Sequence, residues 1–169
     1  MLSTIAVNSA ADYLRELRDT AQEALREMRL LIFELRPSAL ETDGLVLALR
    51  TRLEAVEERA GLAVSLQVQG EGALPLAVEE GLYRITQEAL NNALKHAAAH
   101  RVDVCLAYEE TRIVLEIRDD GMGFDQEVAA ESGGLGLQSM AERAAHMGGT
   151  LTLDSHPGAG TYIRVEVPR

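Results

Sequence analysis

Apolar residues in the first part of the chain recur in alternating steps of three and four. From about Ala10 to Leu35 they fall at Leu14, Leu17, Ala21, Ala24, Met28, Leu31 and Leu35, a heptad seam that predicts a long helix. Leu25 and Ile32 widen the seam, which suits a helix packed in a bundle better than a two-stranded zipper. Arg36-Pro37 ends it, because the residue before a proline is pushed out of helical geometry. A second helix is expected from about Thr42 to Arg59, with Leu45, Leu47, Leu49, Leu53 and Val56 on its apolar side and Gly61 as its stop. The period then changes to two. Leu62 to Val68 alternates like a strand, and Gly70-Glu-Gly-Ala-Leu-Pro75 leads into a helix from about Leu76 to Ala98. Arg101 to Tyr108 and Arg112 to Arg118, joined by Glu109-Glu-Thr111, read as a hairpin. Phe124 to Gly133 has the composition of a loop. A helix over Leu135 to Met147 follows, then strands near Thr150 to Asp154 and Thr161 to Val167 around a Pro157-Gly-Ala-Gly160 turn.

This order predicts an α+β fold, a two-layer sandwich in which helices cover one face of a mixed β-sheet. The boundary expected near Arg36-Pro37-Ser38 separates a bundle-type helix, residues 1–37, from a compact domain, residues 38–169. Composition refines the interior. Of 169 residues 47% are hydrophobic but only 4% aromatic, with no tryptophan, so the core should be aliphatic. The formal charge of −11 argues against nucleic acid as a partner, since polyanion binders present a basic face. No apolar run approaches the roughly 18 residues of a membrane span, and the first residues lack a signal-peptide layout. No membrane contact by this segment and a cytoplasmic location are therefore expected. Cys105, the one cysteine, lies in an apolar alternation and is expected to be a buried small hydrophobe.

Three segments stand out chemically. In Glu88-Ala-Leu-Asn-Asn-Ala-Leu-Lys-His96, the residues Glu88, Asn92 and Lys95 are spaced to share a helix face. An asparagine carbonyl is a hard neutral oxygen suited to Mg²⁺, a lysine can meet phosphate oxygens, and an acid can orient or deprotonate an attacking group. A solvated face with an ordinary acid–base pair is the alternative. Asn91-Asn92 tilts against it, because adjacent mid-helix asparagines sacrifice helix propensity without evident structural return. Asp119-Asp-Gly121-Met-Gly123 can bring a carboxylate against a purine's exocyclic amine while its glycines let the backbone pass close to the base; it can equally be an acidic turn after a strand. Gly133-Gly134-Leu-Gly136 before a helix can put free amides beside phosphates, or can be a plain connector. His96 and His100 are spaced to share a helix face, but no third ligand accompanies them to make a zinc site.

Taken in order and spacing, these segments resemble the ATP-binding domain of sensor histidine kinases, in the wider group that includes DNA gyrase B, the ninety-kilodalton heat-shock chaperones and mismatch-repair ATPases. Glu88 to His96 is similar to the family's N box, Asp119 to Gly123 to its first glycine box, and Gly134-Leu-Gly136-Leu137 to its second. Gly160-Thr161 resembles the final box. Upstream, Glu34-Leu-Arg-Pro, Gly44-Leu, Ala48-Leu-Arg50 and Leu82-Tyr-Arg-Ile-x-Gln-Glu88 resemble the subfamily of nitrate, nitrite and lipid-fluidity sensors. The resemblance implies ATP and Mg²⁺ as ligands. It implies a nucleotide site drawn from Asn91, Asn92, Lys95, Asp119, Gly121, Gly123, Gly134, Gly136, Leu137 and Thr161, with Asn92 on the metal, Lys95 near phosphates and Asp119 on adenine. Thr161 would support Asp119 through water, and Phe124 to Gly133 would form a short lid. Glu88 holds the position that activates water in the ATPase relatives, whereas in histidine kinases an acid beside the acceptor histidine takes that role.

One departure qualifies the match. Kinases of this subfamily carry the acceptor histidine in a helix well before the Leu-Arg-Pro segment, and here no histidine precedes His96. The expectation is a truncated kinase core: residues 1–37 as part of a dimerisation hairpin giving a homodimer, and a catalytic domain that binds Mg-ATP without phosphorylating itself. The intact form would pass the γ-phosphoryl group to histidine and then to a response-regulator aspartate, and its parent kinase can be membrane-anchored. An anti-sigma-factor-type serine kinase and a non-catalytic nucleotide-sensing or dimerisation module are the alternatives.

Overall fold

The structure is a computed structural model that describes residues 38–126 and 135–169. The chain divides into two units, Met1–Ser38 and Ala39–Arg169. The heptad seam falls outside the described residues, and so does most of the expected lid.

Helix α1 spans Ser38–Ala60 and is interrupted at Gly44, whose φ of 77° and ψ of 175° leave helical space. The helix expected from Thr42 is the portion after this break. Leu45, Leu49, Leu53 and Val56 are buried, but Leu47, expected among them, is 45% exposed. Its position two residues from both Leu45 and Leu49 puts it on the opposite side of a 3.6-residue helix. Strand β1, Ala63–Gln69, then pairs in parallel with β2, Arg101–Tyr108. Parallel neighbours need a crossover, and α2, Leu76–Lys95, provides it. The sequence pattern suggested a helix to Ala98. It stops at Lys95 because the N–H groups of His96 and Ala97 both bond Asn92 O, at 2.9 and 3.2 Å, and Ala98 turns to a φ of 47°.

Strand β2 forms the expected hairpin with β3, Arg112–Asp119. Helix α3, Leu135–His146, precedes β4, Thr150–Ser155, and β5, Thr161–Pro168. The sheet order is β1-β2-β3-β5-β4, with every pair except β1–β2 antiparallel. Helices cover one face. There the registers align two aliphatic rows across all five strands, Leu66–Val104–Ile117–Ile163–Leu153 and Val68–Leu106–Leu115–Val165–Leu151. Except for Val68, which is exposed at the sheet edge, they meet Leu82, Ile85, Leu90 and Met140 from the helices in one core.

The other face of the sheet is polar. Arg112, Glu166, Arg164, Glu116 and Tyr162 are linked across β3 and β5 by ion pairs and hydrogen bonds, and Ser65 donates to Asp103, which Arg101 also grips. Pairs this open to solvent contribute little each; they fix which face stays wet. Cys105 belongs to this face, opposite Glu116. It is half-buried, against the expectation of full burial, because Val104 and Leu106 take the core parity. Desolvation and then Glu116 push its thiol pKa up, which disfavours the reactive thiolate. No helix among the described residues is long and apolar enough to cross a membrane.

Leu106 is fully buried at the centre of the sheet, so Leu106→Ala should cost about 2–5 kcal/mol. Urea unfolding should show a lower midpoint at unchanged slope. Leu47→Ala should stay within roughly 0.5 kcal/mol of the parent.

Candidate functional site

Beyond the two aliphatic rows, one more row crosses all five strands on the same face: Val64–Val102–Asp119–Thr161–Ser155. It is apolar on β1 and β2 and polar on β3, β5 and β4. Alternation along each strand therefore aims three polar side chains at the helix-covered side, where an uninterrupted core would want Leu or Val. Opposite this end lies the last part of α2. Between them is a cavity of about 460 Å³.

Glu88 and Asn92, one helical turn apart on α2, line it together with Asp119, Gly123, Thr161, Gly136 and Leu137. All seven are among the residues singled out in the sequence. The other lining residues were not anticipated as site members: Ala89, Ala97 and Ile163 are apolar, Met122 and Phe124 come from the turn after β3, and His96 from the end of α2. An alternating strand carries a detectable signal for Ile163, the apolar neighbour two residues after Thr161, but none that tells a cavity wall from core.

Four singled-out residues stand elsewhere or cannot be placed. Lys95 is exposed and does not line the cavity. Asn91 turns to α1, where its Oδ1 accepts a long hydrogen bond, 3.4 Å, from Arg52 Nη2. Arg52 is only 6% exposed, and burial lowers its pKa. The structural return for an asparagine at position 91 is thus an acceptor for a buried guanidinium, which the sequence could not show. Gly121 sits behind the cavity, so close to Ala97 that a Cβ would collide. Gly134 lies outside the described residues, as do residues 127–133 of the expected lid.

The turn holding Asp119 is clamped on two sides. Gly121 N–H donates to Asp119 Oδ1 at 2.9 Å, and Met122 N–H to Ala97 O at 2.8 Å. On the far side Gly158 N–H reaches Met122 O at 2.6 Å. Gly123, at φ 59°, lies against the carbonyls of His156 and Gly160, and Gly160, at φ 74°, against that of Asp119. Both need left-handed backbone and no Cβ. The adjacent aspartates divide the work. Asp119 faces the cavity, while Asp120 Oδ1 accepts the N–H groups of Arg101 and His100 at 2.8 and 2.7 Å and ties the turn to the start of β2.

The arrangement has chemical consequences. A carboxylate is acceptor-only; one oxygen of Asp119 is taken by Gly121, and the cavity beside it has apolar walls. That suits a flat ring carrying an N–H donor. Glu88 and Asn92 offer hard oxygens on the facing helix, and the first turn of α3 comes so close that a Cβ on Gly136 would strike the Glu88 carboxylate. Among the described residues no group of three or more His, Cys, Asp or Glu is placed to hold a metal. The donor set fits Mg²⁺ that takes most of its ligands from phosphates and water.

Comparison with known proteins agrees with this geometry. Residues 77–169 match the family described as histidine kinase-, DNA gyrase B-, and HSP90-like ATPase. The chain is 36% identical over 163 residues to the signal transduction histidine-protein kinase/phosphatase DegS of Brevibacillus brevis, covering 96% of this chain and 42% of DegS. It is 37% identical over 155 residues to the sensor histidine kinase LiaS of Bacillus subtilis, covering 92% and 42%. The chain thus spans less than half the length of these curated relatives. Among solved structures, full-length ShkA in complex with AMPPNP superposes with a TM-score of 0.59 at 25% identity, covering 72% of this chain and 29% of ShkA.

Asp120 yields a pH prediction. The N–H groups of Arg101 and His100 hold its carboxyl below the usual carboxylate range. A carboxyl with a lowered folded pKa adds stability that is complete above its unfolded pKa and vanishes as pH falls through the folded one. In urea titrations between about pH 6 and about pH 3, Asp120→Asn should flatten the acid-side loss of stability relative to the parent.

Proposed function

The chain belongs to the family of histidine kinase-, DNA gyrase B- and HSP90-like ATPases, and from that premise we propose that its cavity binds Mg-ATP as the catalytic domain of a two-component sensor kinase. The observation that carries this reading is Asp119, the carboxylate at the point where a sheet row turns from apolar to polar, beside the apolar walls of a cavity whose opposite side bears Glu88 and Asn92. Asp119 accepts the adenine amine. Thr161, its register partner on β5, supports it through water. Asn92 supplies a metal oxygen, and Gly136 and Leu137 bring the start of α3 toward the phosphates. The family resemblance adds Lys95, which stands outside the cavity lining, and Gly134 to the phosphate side.

Magnesium, when bound, neutralises charge on the phosphates. The protein's own contribution is positioning: α2 and the sheet end hold base and triphosphate at fixed separation, which is most of what phosphoryl transfer asks of a protein. The γ-phosphoryl passes to a histidine that is not among these residues and from there to a response-regulator aspartate. Glu88, at the mouth of α3, orients the attacking group or the metal shell. The names of the relatives favour histidine over serine as acceptor. The heptad seam of residues 10–35 supports a homodimer, with this domain on the cytoplasmic side of any membrane anchor.

Calorimetry with ATP tests the site. Asp119→Ala should weaken ATP binding severely, down to the level of a purine triphosphate that lacks the exocyclic amine, and Asn92→Ala should mainly remove the part of the affinity that depends on magnesium; unchanged ATP affinity in Asp119→Ala would remove the central claim. A second measurement separates binding from transfer. Incubated with γ-labelled ATP, this chain should accumulate no acid-labile, base-stable label, and such label on it would place an acceptor histidine within residues 1–169.

A further inference from the structure

We propose that Ser155 is a positioning residue for base recognition, the hydroxyl that locks the aspartate-bearing turn to the turn between β4 and β5. The proposal rests on the adenine-nucleotide reading above and assigns a role to a residue outside the cavity lining.

Strand β4 places Leu151, Leu153 and Ser155 on the helix-covered face. Two are aliphatic and join the core; the third is a hydroxyl with 2% exposure. A buried hydroxyl is retained at little cost only when its hydrogen bonds are made. Those of Ser155 are made to two different loops. Its Oγ donates to Gly160 O at 2.9 Å and accepts from Phe124 N–H at 3.1 Å. Phe124 is the first residue after Gly123, and Gly160 the last before Thr161. With the single hydroxyl hydrogen committed to Gly160, Thr161 Oγ1 at 3.4 Å can only be the donor in its contact with Ser155. Thr161 then keeps its lone pairs for the cavity side.

The two turns joined in this way already touch backbone to backbone. Gly158 N–H bonds Met122 O, Gly123 lies against His156 O and Gly160 O, and Gly160 lies against Asp119 O. No side chain from α2 takes part in these contacts. Loss of the Ser155 hydroxyl leaves Phe124 N–H and Gly160 O without this partner in a buried place, and the turns separate by the slack this allows. Asp119 moves with its turn, whereas Glu88 and Asn92 stay on α2. The result is a selective loss of base recognition with phosphate-side binding kept.

The test measures, on the full chain by calorimetry with magnesium, the affinity for ATP and for purine riboside triphosphate, which lacks the exocyclic amine. The preference for ATP should fall about tenfold in Ser155→Ala, the scale of one buried hydrogen bond. Affinity for the analogue should be unchanged, and Ser155→Thr should restore the preference. A preference kept in Ser155→Ala, or equal weakening of both ligands, overturns the proposal. Asp119→Ala is the reference. If it lowers the preference and Ser155→Ala does not, the Ser155 role alone fails; if it leaves the preference intact, the adenine reading fails and takes the proposal with it. Where Ser155→Ala melts below the assay temperature, Ser155→Cys substitutes, with an intermediate preference expected and a wild-type preference counting against the role.

Discussion

The parity of the sheet is the constraint on which the site depends. Side chains on a strand alternate with a period of two, so once Ile117, Ile163 and Leu153 are committed to the core, Asp119, Thr161 and Ser155 have no choice of face. They must point toward the helices. Placing three polar side chains there, Ser155 buried and the other two partly so, is unfavourable unless partners are supplied. The structure supplies them locally, with Gly121 N–H for Asp119 and the Phe124 and Gly160 backbones for Ser155, and keeps the remaining room as a cavity.

Helix α2 is the counterpart. As the crossover between the two parallel strands it has to lie across the sheet, and its sides are then assigned by packing. Leu82, Ile85 and Leu90 join the core, Glu88 and Asn92 look into the cavity, and Asn91 meets Arg52 of α1. The two asparagines therefore report to different neighbours, one to the ligand space and one to α1. A single α-helical step of about 100° separates them.

Much of this was legible in the sequence, because it rests on periodicity and on order. The change from a 3.6- to a two-residue period locates the elements, the hairpin is marked by its polar link, and the motif positions fall where cavity-facing parity requires. What was not legible depends on contacts between segments far apart in the chain. Leu47 is apolar yet faces outward, because steps of three and four residues from Leu45 stay on the buried side and a step of two does not. Cys105 looks like a core residue until the register shows Glu116 opposite it. Parity sets Asp119 apart from Asp120, but the structural role of Asp120 rests on the Arg101 and His100 amides, which no local pattern announces. Ser155 carried a weak signal, a hydroxyl where the Leu151, Leu153 alternation calls for an aliphatic residue.

The pairing of Asp119 with Thr161 also says something about how this fold can vary. It closes the intervening chain into a loop whose two ends are held by the sheet and by the interlocked glycine turns. Closure entropy grows only with the logarithm of length, about 0.6 kcal/mol for each doubling. Added length between those ends would therefore tax the fold lightly, while a one-residue slip of β5 against β3 would turn every side chain on β5 to the opposite face. Length and register thus differ sharply in evolvability: the one is free to grow, the other is fixed to the residue.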